Sequence, residues 1–248
     1  MEFAKSLATY AGRVFLENFD KDLAVEIKAD SSPVTEIDKH INEYVIEQIT
    51  RKFPGHAVLG EEKTVGTGSE KYQWICDPLD GTKPYILGVP NSVFMLALAK
   101  DTVIQLAVVY DPFAGRMYTS IRGEGAYCND RQIHVSTQEI EDGYILLGAA
   151  TSTELLRSIK SVGGKYEAVS GSGYKSMMIA RGKGIGYIKY GADYHDIAPA
   201  SLIIEEAGGK VTGLKGESLD FTKTFNSAIL SNGIAHDSLV EIAKSIDE

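Results

Sequence analysis

The run Trp74-Ile75-Cys76-Asp77-Pro78-Leu79-Asp80-Gly81-Thr82 constrains this chain more than any other stretch. Trp74-Ile75-Cys76 reads as a buried strand. Asp77 and Asp80 are expected to leave its end, where Pro78 stiffens a turn and Gly81 frees the backbone. Two acids three residues apart in such a turn can converge on one point. Hard divalent cations such as Mg²⁺ want this donor set: oxygen ligands, octahedral geometry and retained waters. Taken alone, the turn reads equally well as an ordinary capped loop. Thr82 would then open a helix whose backbone N–H groups suit a phosphate.

The rest of the chain narrows the classes. Its 248 residues suffice for one large or two small domains with a real core, and 44% hydrophobic against 24% charged residues is an ordinary globular composition. Lys and Arg number 25 against 34 Asp and Glu, a net charge of −9, which disfavours nucleic-acid or anionic-membrane binding through a broad basic surface. The longest apolar stretches, such as Val93 to Ala99, are too short to span a bilayer. Met1-Glu2-Phe3-Ala4-Lys5 opens directly into a helical pattern without the apolar core of a leader. Cys76 and Cys128 are the only cysteines, so no disulfide framework or thiolate zinc cluster is expected. A cytoplasmic enzyme or binding protein is the default. The histidines at 40, 56, 134, 195 and 236 lack metal-ligand spacing and read as surface or packing residues.

Apolar periodicity predicts amphipathic helices over residues 2–19 and 36–50, separated by the polar turn Lys28 to Pro33. Trp74–Cys76, Val93–Ala99, Val103–Tyr110 and Met117–Ile121 read as strands whose short connections predict an antiparallel meander. Thr64 to Lys71 reads as a surface loop. After about residue 138, strand-like runs at 144–149, 166–169, 185–190 and 226–230 alternate with helical patterns at 153–161, 173–182, 197–207 and 236–246. The expectation is an α+β chain of two halves, 1–138 and 139–248, sharing an interface.

Carboxylates gather in order along this frame. Ser32-Pro33-Val34-Thr35-Glu36-Ile37-Asp38 comes first, then Gly60-Glu61-Glu62, then the Asp77–Thr82 run. Gly171-Ser172 and His195-Asp196-Ile197-Ala198 follow, ending in Glu205-Glu206-Ala207-Gly208-Gly209. Taken singly, Glu61 and Glu62 could sit on a solvated loop and Asp196 could be a helix N-cap. Together the blocks resemble the inositol monophosphatase superfamily over nearly the whole chain. The resemblance implies the layered αβαβα sandwich of the inositol monophosphatase and fructose-1,6-bisphosphatase type, and a Mg²⁺-dependent phosphomonoesterase acting on a small polyol, sugar or related phosphate.

By that resemblance Glu61 and Asp77 would ligate a first Mg²⁺, faced by the Leu79 carbonyl. Asp77 would bridge to a second ion held also by Asp80 and Asp196, and Glu62 would hold water or a third ion. Asp38 and Thr82 would orient and deprotonate the attacking water, with Glu61 beside them. Gly81, Thr82, Lys83, Gly171, Ser172, Lys175 and Asp196 would face the substrate. A small phosphorylated substrate, a homodimer and Li⁺ sensitivity are implied too. Chemically, two cations neutralise such crowded carboxylates and stabilise an in-line displacement, so no Ser, Cys or His nucleophile is required.

There are departures. Pro84-Tyr85 stands where the family has Asn-Phe, His195 where it has Trp, and Pro199 where it has a small residue. Inositol-specific relatives place an acid seven positions before the late aspartate, and here that position is Lys189. Gly81-Thr82-Lys83 resembles the histidinol-phosphate phosphatase and nucleotide phosphatase branches, and Gly171 to Lys175 also resembles the nucleotide branch, which keeps histidinol-phosphate phosphatase and 3′(2′),5′-bisphosphate nucleotidase as alternatives. Lys83 and Lys175 could contact a second anionic group, although an exposed helical lysine is the plainer reading of each. The alternative of another class is a regulatory binding protein that retains the fold.

Overall fold

A computed structural model describes residues 1–29, 31–148, 151–221, 223 and 225–247, the side chain of Asp247 aside. Asp30 in the predicted polar turn and Ala149 at the end of the predicted 144–149 strand lie outside the described residues. The first elements are α1 (Glu2–Asn18), β1 (Val25–Ile27), β2 (Pro33–Thr35), α2 (Glu36–Lys52), β3 (Ala57–Gly60), β4 (Thr64–Val65) and β5 (Tyr72–Asp80). Next come α3 (Thr82–Ile86), β6 (Val93–Lys100), β7 (Val103–Asp111), β8 (Arg116–Ile121), β9 (Ala126–Cys128) and β10 (Arg131–Gln132). The remainder runs β11 (Tyr144–Leu147), α4 (Thr153–Ser161), β12 (Lys165–Ala168), α5 (Ser172–Ala180), β13 (Gly186–Tyr190), α6 (Tyr194–Glu206), β14 (Lys210–Thr212), β15 (Ser227–Ser231) and α7 (His236–Asp247).

An eight-stranded sheet in the order β10-β9-β8-β7-β6-β5-β3-β4 and a five-stranded sheet in the order β12-β11-β13-β15-β14 form the two β layers. The meander β5 to β9 is antiparallel as its short loops dictate, whereas β3 joins β5 in parallel. Ile37, Ile41, Val45 and Ile49 recur every four residues on α2, and Leu7, Ala11 and Phe15 do so on α1. Both stripes bury against Trp74, Cys76, Phe94 and Leu96 on one face of the large sheet. The opposite face, with Ile75, Val93, Met95 and Ala97, packs on α5 and α6, whose far side meets Leu146, Tyr187 and Leu230 of the small sheet. α4 and α7 close the outer face through Ile159, Leu239 and Ile229. The result is five layers, αβαβα. Each fully buried Ile, Leu or Phe contributes about 1.5–3 kcal/mol.

Three local expectations change. Thr64–Val65 is not loop: it pairs with Leu59 and Val58, and the following turn is tied down by Thr67 N–H donating to Glu70 at 2.8 Å. α6 begins at Tyr194 rather than Ile197, because Asp193 and Asp196 form a capping box that starts the helix earlier. The third change bears on the site. β5 does not end at Cys76 but continues through Asp80 with a bulge, Asp77 standing opposite Met95 and Asp80 opposite Val93. Residues three apart on a regular strand face opposite sides. The extra residue restores a common face, and both aspartates point with Ile75 toward α5 and α6. Pro78, which has no N–H to give a ladder, sits inside the bulge.

His236 shows what buried polarity costs in this frame. It is 1% exposed, with one ring nitrogen 3.0 Å from the Thr212 hydroxyl and the other 2.7 Å from Ser231. Burial pulls its imidazole down from an ordinary 6.5 to about 4, and Lys210 adds to the shift. Between those values the unfolded chain binds the extra proton, so this contribution is whole above about pH 6.5 and is lost as pH falls toward 4. Thermal melts of the native chain should therefore fall more steeply over that window than those of His236→Gln, the curves diverging by about 3–6 °C. Parallel curves would mean another group titrates there.

Candidate active site

The bulge in β5 fixes the first two carboxylates and α6 brings the third. One carboxylate oxygen from each of Asp77, Asp80 and Asp196 lies within 4.8 Å of the others. Asp77 Oδ1 accepts the Leu79 N–H at 3.0 Å. Asp80 is held from across the interface: Ser172 N–H donates to Oδ1 at 3.1 Å and Gly173 N–H to Oδ2 at 2.8 Å, so the first turn of α5 grips both oxygens. Gly171, with φ of 81°, makes this approach possible, since a Cβ there would stand 2.8 Å from the Asn91 carbonyl. Asp196 accepts the Asp193 N–H at 3.2 Å and the Lys189 ammonium at 3.1 Å.

This crowding has an electrostatic cost. Burial, then the charges of Glu61, Asp80 and Asp196, pushes the Asp77 carboxyl far above the usual carboxylate range. Burial and Asp196 push Asp80 up to about 6, against the pull of Lys189, Lys175 and the Gly173 N–H. Three hard oxygen donors that resist sharing one site fit a divalent cation of the Mg²⁺ kind. Glu61 and Glu62 stand beside them, and Lys28 reaches both, with its Nζ at 2.7 and 2.6 Å. Burial works against the Lys28 charge, but the two carboxylates outweigh it and hold the ammonium well above its ordinary range. The Leu79 carbonyl accepts the Thr82 hydroxyl at 3.2 Å.

Asp38 forms the second half of the site. It is fully buried as the third residue of α2, where the Thr35 N–H and hydroxyl both donate to Oδ2. Its other oxygen accepts the Thr82 hydroxyl at 3.0 Å. Burial lifts the Asp38 carboxyl above its usual range while Thr35 and Thr82 hold it down. Thr82 opens α3 behind Gly81, whose left-handed φ of 88° would strain any other residue and whose would-be Cβ would press on Pro84 and Ser92 at 3.2 Å.

Two adjoining clefts meet at these residues. One, of about 330 Å³, holds the carboxylates with Lys28 and His195 on its wall. The other, of about 410 Å³, shares Glu61, Asp80, Gly81, Thr82 and Asp196 and extends past Gly171 and Ser172 to Lys175, Tyr187 and Lys189. Lys83 stands exposed on its rim. Lys175 is no exposed helical lysine: it is 3% exposed, donating to the Val169 carbonyl at 3.0 Å. Lys28 and Lys189 escaped sequence reasoning as partners of the acids. A lysine 33 positions before Glu61 carries no local signal of a pairing that the β1–β2 hairpin creates.

The family model for the inositol monophosphatase family matches residues 1–248. The chain belongs to that family. It is 31% identical over 260 residues to inositol monophosphatase 1 of Homo sapiens, covering 96% of this chain and 93% of the relative. It is also 31% identical to the fructose-1,6-bisphosphatase/inositol-1-monophosphatase of Aquifex aeolicus, covering 100% of this chain and 96% of the relative. A solved IMPase/NADP phosphatase complexed with Mg²⁺ and phosphate superposes with a TM-score of 0.86 at 26% identity, covering 97% of this chain and 94% of that one. Members of this family are Mg²⁺-dependent phosphoric monoester hydrolases, and this protein is such an enzyme.

Asp77, Asp80 and Asp196 bring oxygens close enough together that one ion could touch all three, and Glu61, paired with Lys28, stands beside them. Saturating Mg²⁺ should raise the melting midpoint of the native chain by about 5–10 °C. Asp77→Asn should melt no lower than the native chain without metal, because a crowded buried charge is gone, and should gain less than about 2 °C from Mg²⁺. A full Mg²⁺ shift in that variant would remove Asp77 from the ligand set.

Proposed function

We propose that this protein hydrolyses the phosphate monoester of a small polyol or sugar, with Asp38 and Thr82 orienting and deprotonating the attacking water. One juxtaposition supports this reading. The Thr82 hydroxyl, bonded to Asp38, stands on the same wall as the three-carboxylate cluster, and both open into one cleft. A volume of about 410 Å³ suits a ring-sized ester.

Mg²⁺ bound at the carboxylates supplies positive charge for the phosphoryl oxygens and makes water more acidic. The phosphoryl group is assigned to the first turn of α3, against the backbone N–H groups of Gly81 and Thr82. Thr82 Oγ1 takes a proton from the water as its own proton passes to Asp38 Oδ1. The water oxygen bonds to phosphorus while the ester P–O bond breaks, and the alcohol oxygen takes up a proton from solvent. The burial that lifts Asp38 makes it a stronger base than a surface carboxylate. Thr35 keeps its second oxygen occupied, so only Oδ1 faces the reaction. Cys76 is fully buried and burial pushes its thiol far up, which leaves it no role as a nucleophile.

Phosphate release from inositol 1-phosphate, histidinol phosphate, fructose 1,6-bisphosphate and adenosine 3′,5′-bisphosphate, with Mg²⁺ and with excess chelator, tests the reading. Release from at least one is expected with Mg²⁺ and none with chelator. Asp38→Asn and Thr82→Ala should each lower kcat about 100-fold or more. Native turnover in either variant would discard the proposed base.

A further inference from the structure

Asp38 is held by more bonds than the start of a helix requires. A capping box needs two: the N-cap oxygen accepts a backbone N–H, and the side chain of the third helical residue accepts the N-cap's own N–H. Thr35 makes both. Its hydroxyl accepts the Ile37 N–H at 3.2 Å, and its N–H donates to Asp38 Oδ2 at 2.8 Å. A third bond is surplus to the cap. The Thr35 hydroxyl gives its own proton to the same Oδ2 at 2.5 Å, the length of a charge-assisted O–H···O⁻ bond. Two donors from one residue thus clamp one oxygen of a carboxylate that is fully buried, where solvent does not compete for it.

The clamp matters because Thr82 has one hydroxyl proton and two acceptors. Its Oγ1 lies 3.0 Å from Asp38 Oδ1 and 3.2 Å from the Leu79 carbonyl oxygen. Only the carboxylate is a base at neutral pH. A proton passed to Oδ1 lets Thr82 Oγ1 take one from water, whereas a proton shared with the Leu79 carbonyl stays on Thr82. Rotation of the Asp38 carboxylate about its Cβ–Cγ bond would draw Oδ1 away and leave the hydroxyl turned to Leu79. That same rotation breaks both Thr35 bonds. Thr35 itself is 1% exposed and lines neither cleft, so any effect it has on the reaction passes through Asp38.

We propose that Thr35 is a positioning residue for hydrolysis, its hydroxyl fixing the rotation of the Asp38 carboxylate so that the Thr82 proton is directed to Oδ1 rather than to the Leu79 carbonyl. The inference rests on the reading of Asp38 as the base and adds what aims it. An effect on basicity alone would run the other way. Donors to a carboxylate make it a weaker base, so removing one would leave turnover unchanged or raise it, while loss of aim lowers it.

Three variants test this on the fastest-released ester of the four-ester panel, with Mg²⁺. Thr35→Ser keeps the hydroxyl and should hold kcat within about 3-fold of native. Thr35→Val removes the hydroxyl, and Thr35→Asn, still a strong N-cap residue, puts a longer amide in its place. Both should lower kcat about 10-fold or more, with KM near native. Melting should fall in Thr35→Val and stay near native in Thr35→Asn. A purely capping Thr35 predicts that activity follows melting, so native kcat in Thr35→Asn would overturn the proposal. Thr35→Val is also combined with Asp38→Asn. With the base gone there is nothing to aim, and the added loss should be under about 2-fold. An undiminished loss in that double variant would overturn the proposal too, leaving Thr35 a structural residue. Native turnover in Asp38→Asn alone would instead refute the base, a result distinct from native kcat in Thr35→Asn beside a crippled Asp38→Asn.

Discussion

Asp77 and Asp80 would face opposite sides of the large sheet if β5 were a regular strand, and the rest of the site depends on the fact that they do not. One inserted residue at Pro78-Leu79 turns both toward the helical layer between the sheets. There they meet Asp196, brought by the capping box that starts α6. Three carboxylates in a largely buried space repel one another, and each surrounding element carries something that answers this. The first turn of α5 donates two N–H groups to Asp80, Lys189 pairs with Asp196, and Lys28 closes on Glu61 and Glu62. These contacts hold the cluster together without discharging it, as the elevated carboxyls of Asp77 and Asp80 show. A divalent cation bound among them would offset that repulsion.

The same arrangement couples the two sheets. Asp80 belongs to the large sheet, while α5 and α6 lie between the layers, so the site is assembled at a packing interface of Ile75, Met95, Ile197 and Leu230. Close-packed interiors transmit small displacements. A change in how α5 sits on β6 would therefore move the donors to Asp80 directly. Gly173, whose would-be Cβ falls 2.3 Å from the Met95 sulfur, marks how closely the helix approaches the sheet.

Much of the framework was legible from periodicity. α1, α2 and the meander β6 to β8 have apolar spacing so regular that their limits agree with expectation to within about two residues. Elements of two or three residues, such as β4, β10 and β14, were not, because pairing partners rather than propensity make them strands. The carboxylates of the site were legible as blocks of acids in a family's order, but their contacts were not. Ser172, expected to face substrate, and Gly173 beside it donate their backbone N–H groups to Asp80, the first of these bonds spanning 92 residues. Lys175 looked like a solvated helical residue because one side chain in sequence carries no sign of the sheet that will cover it.

What the sequence by itself determined was the chemical inventory: which residues are acids, which strand runs into them, and that a glycine frees the backbone at position 81. Tertiary structure alone decided the pairings. The bulge set which face the aspartates share, the β1–β2 hairpin carried Lys28 to Glu61 and Glu62, and the meeting of α5 with β13 placed Lys175 near Lys189. The reason is physical. Side-chain identity and backbone preference are local and can be read along the chain, whereas electrostatic energy depends on distances between residues far apart in sequence, which exist only once the layers have packed.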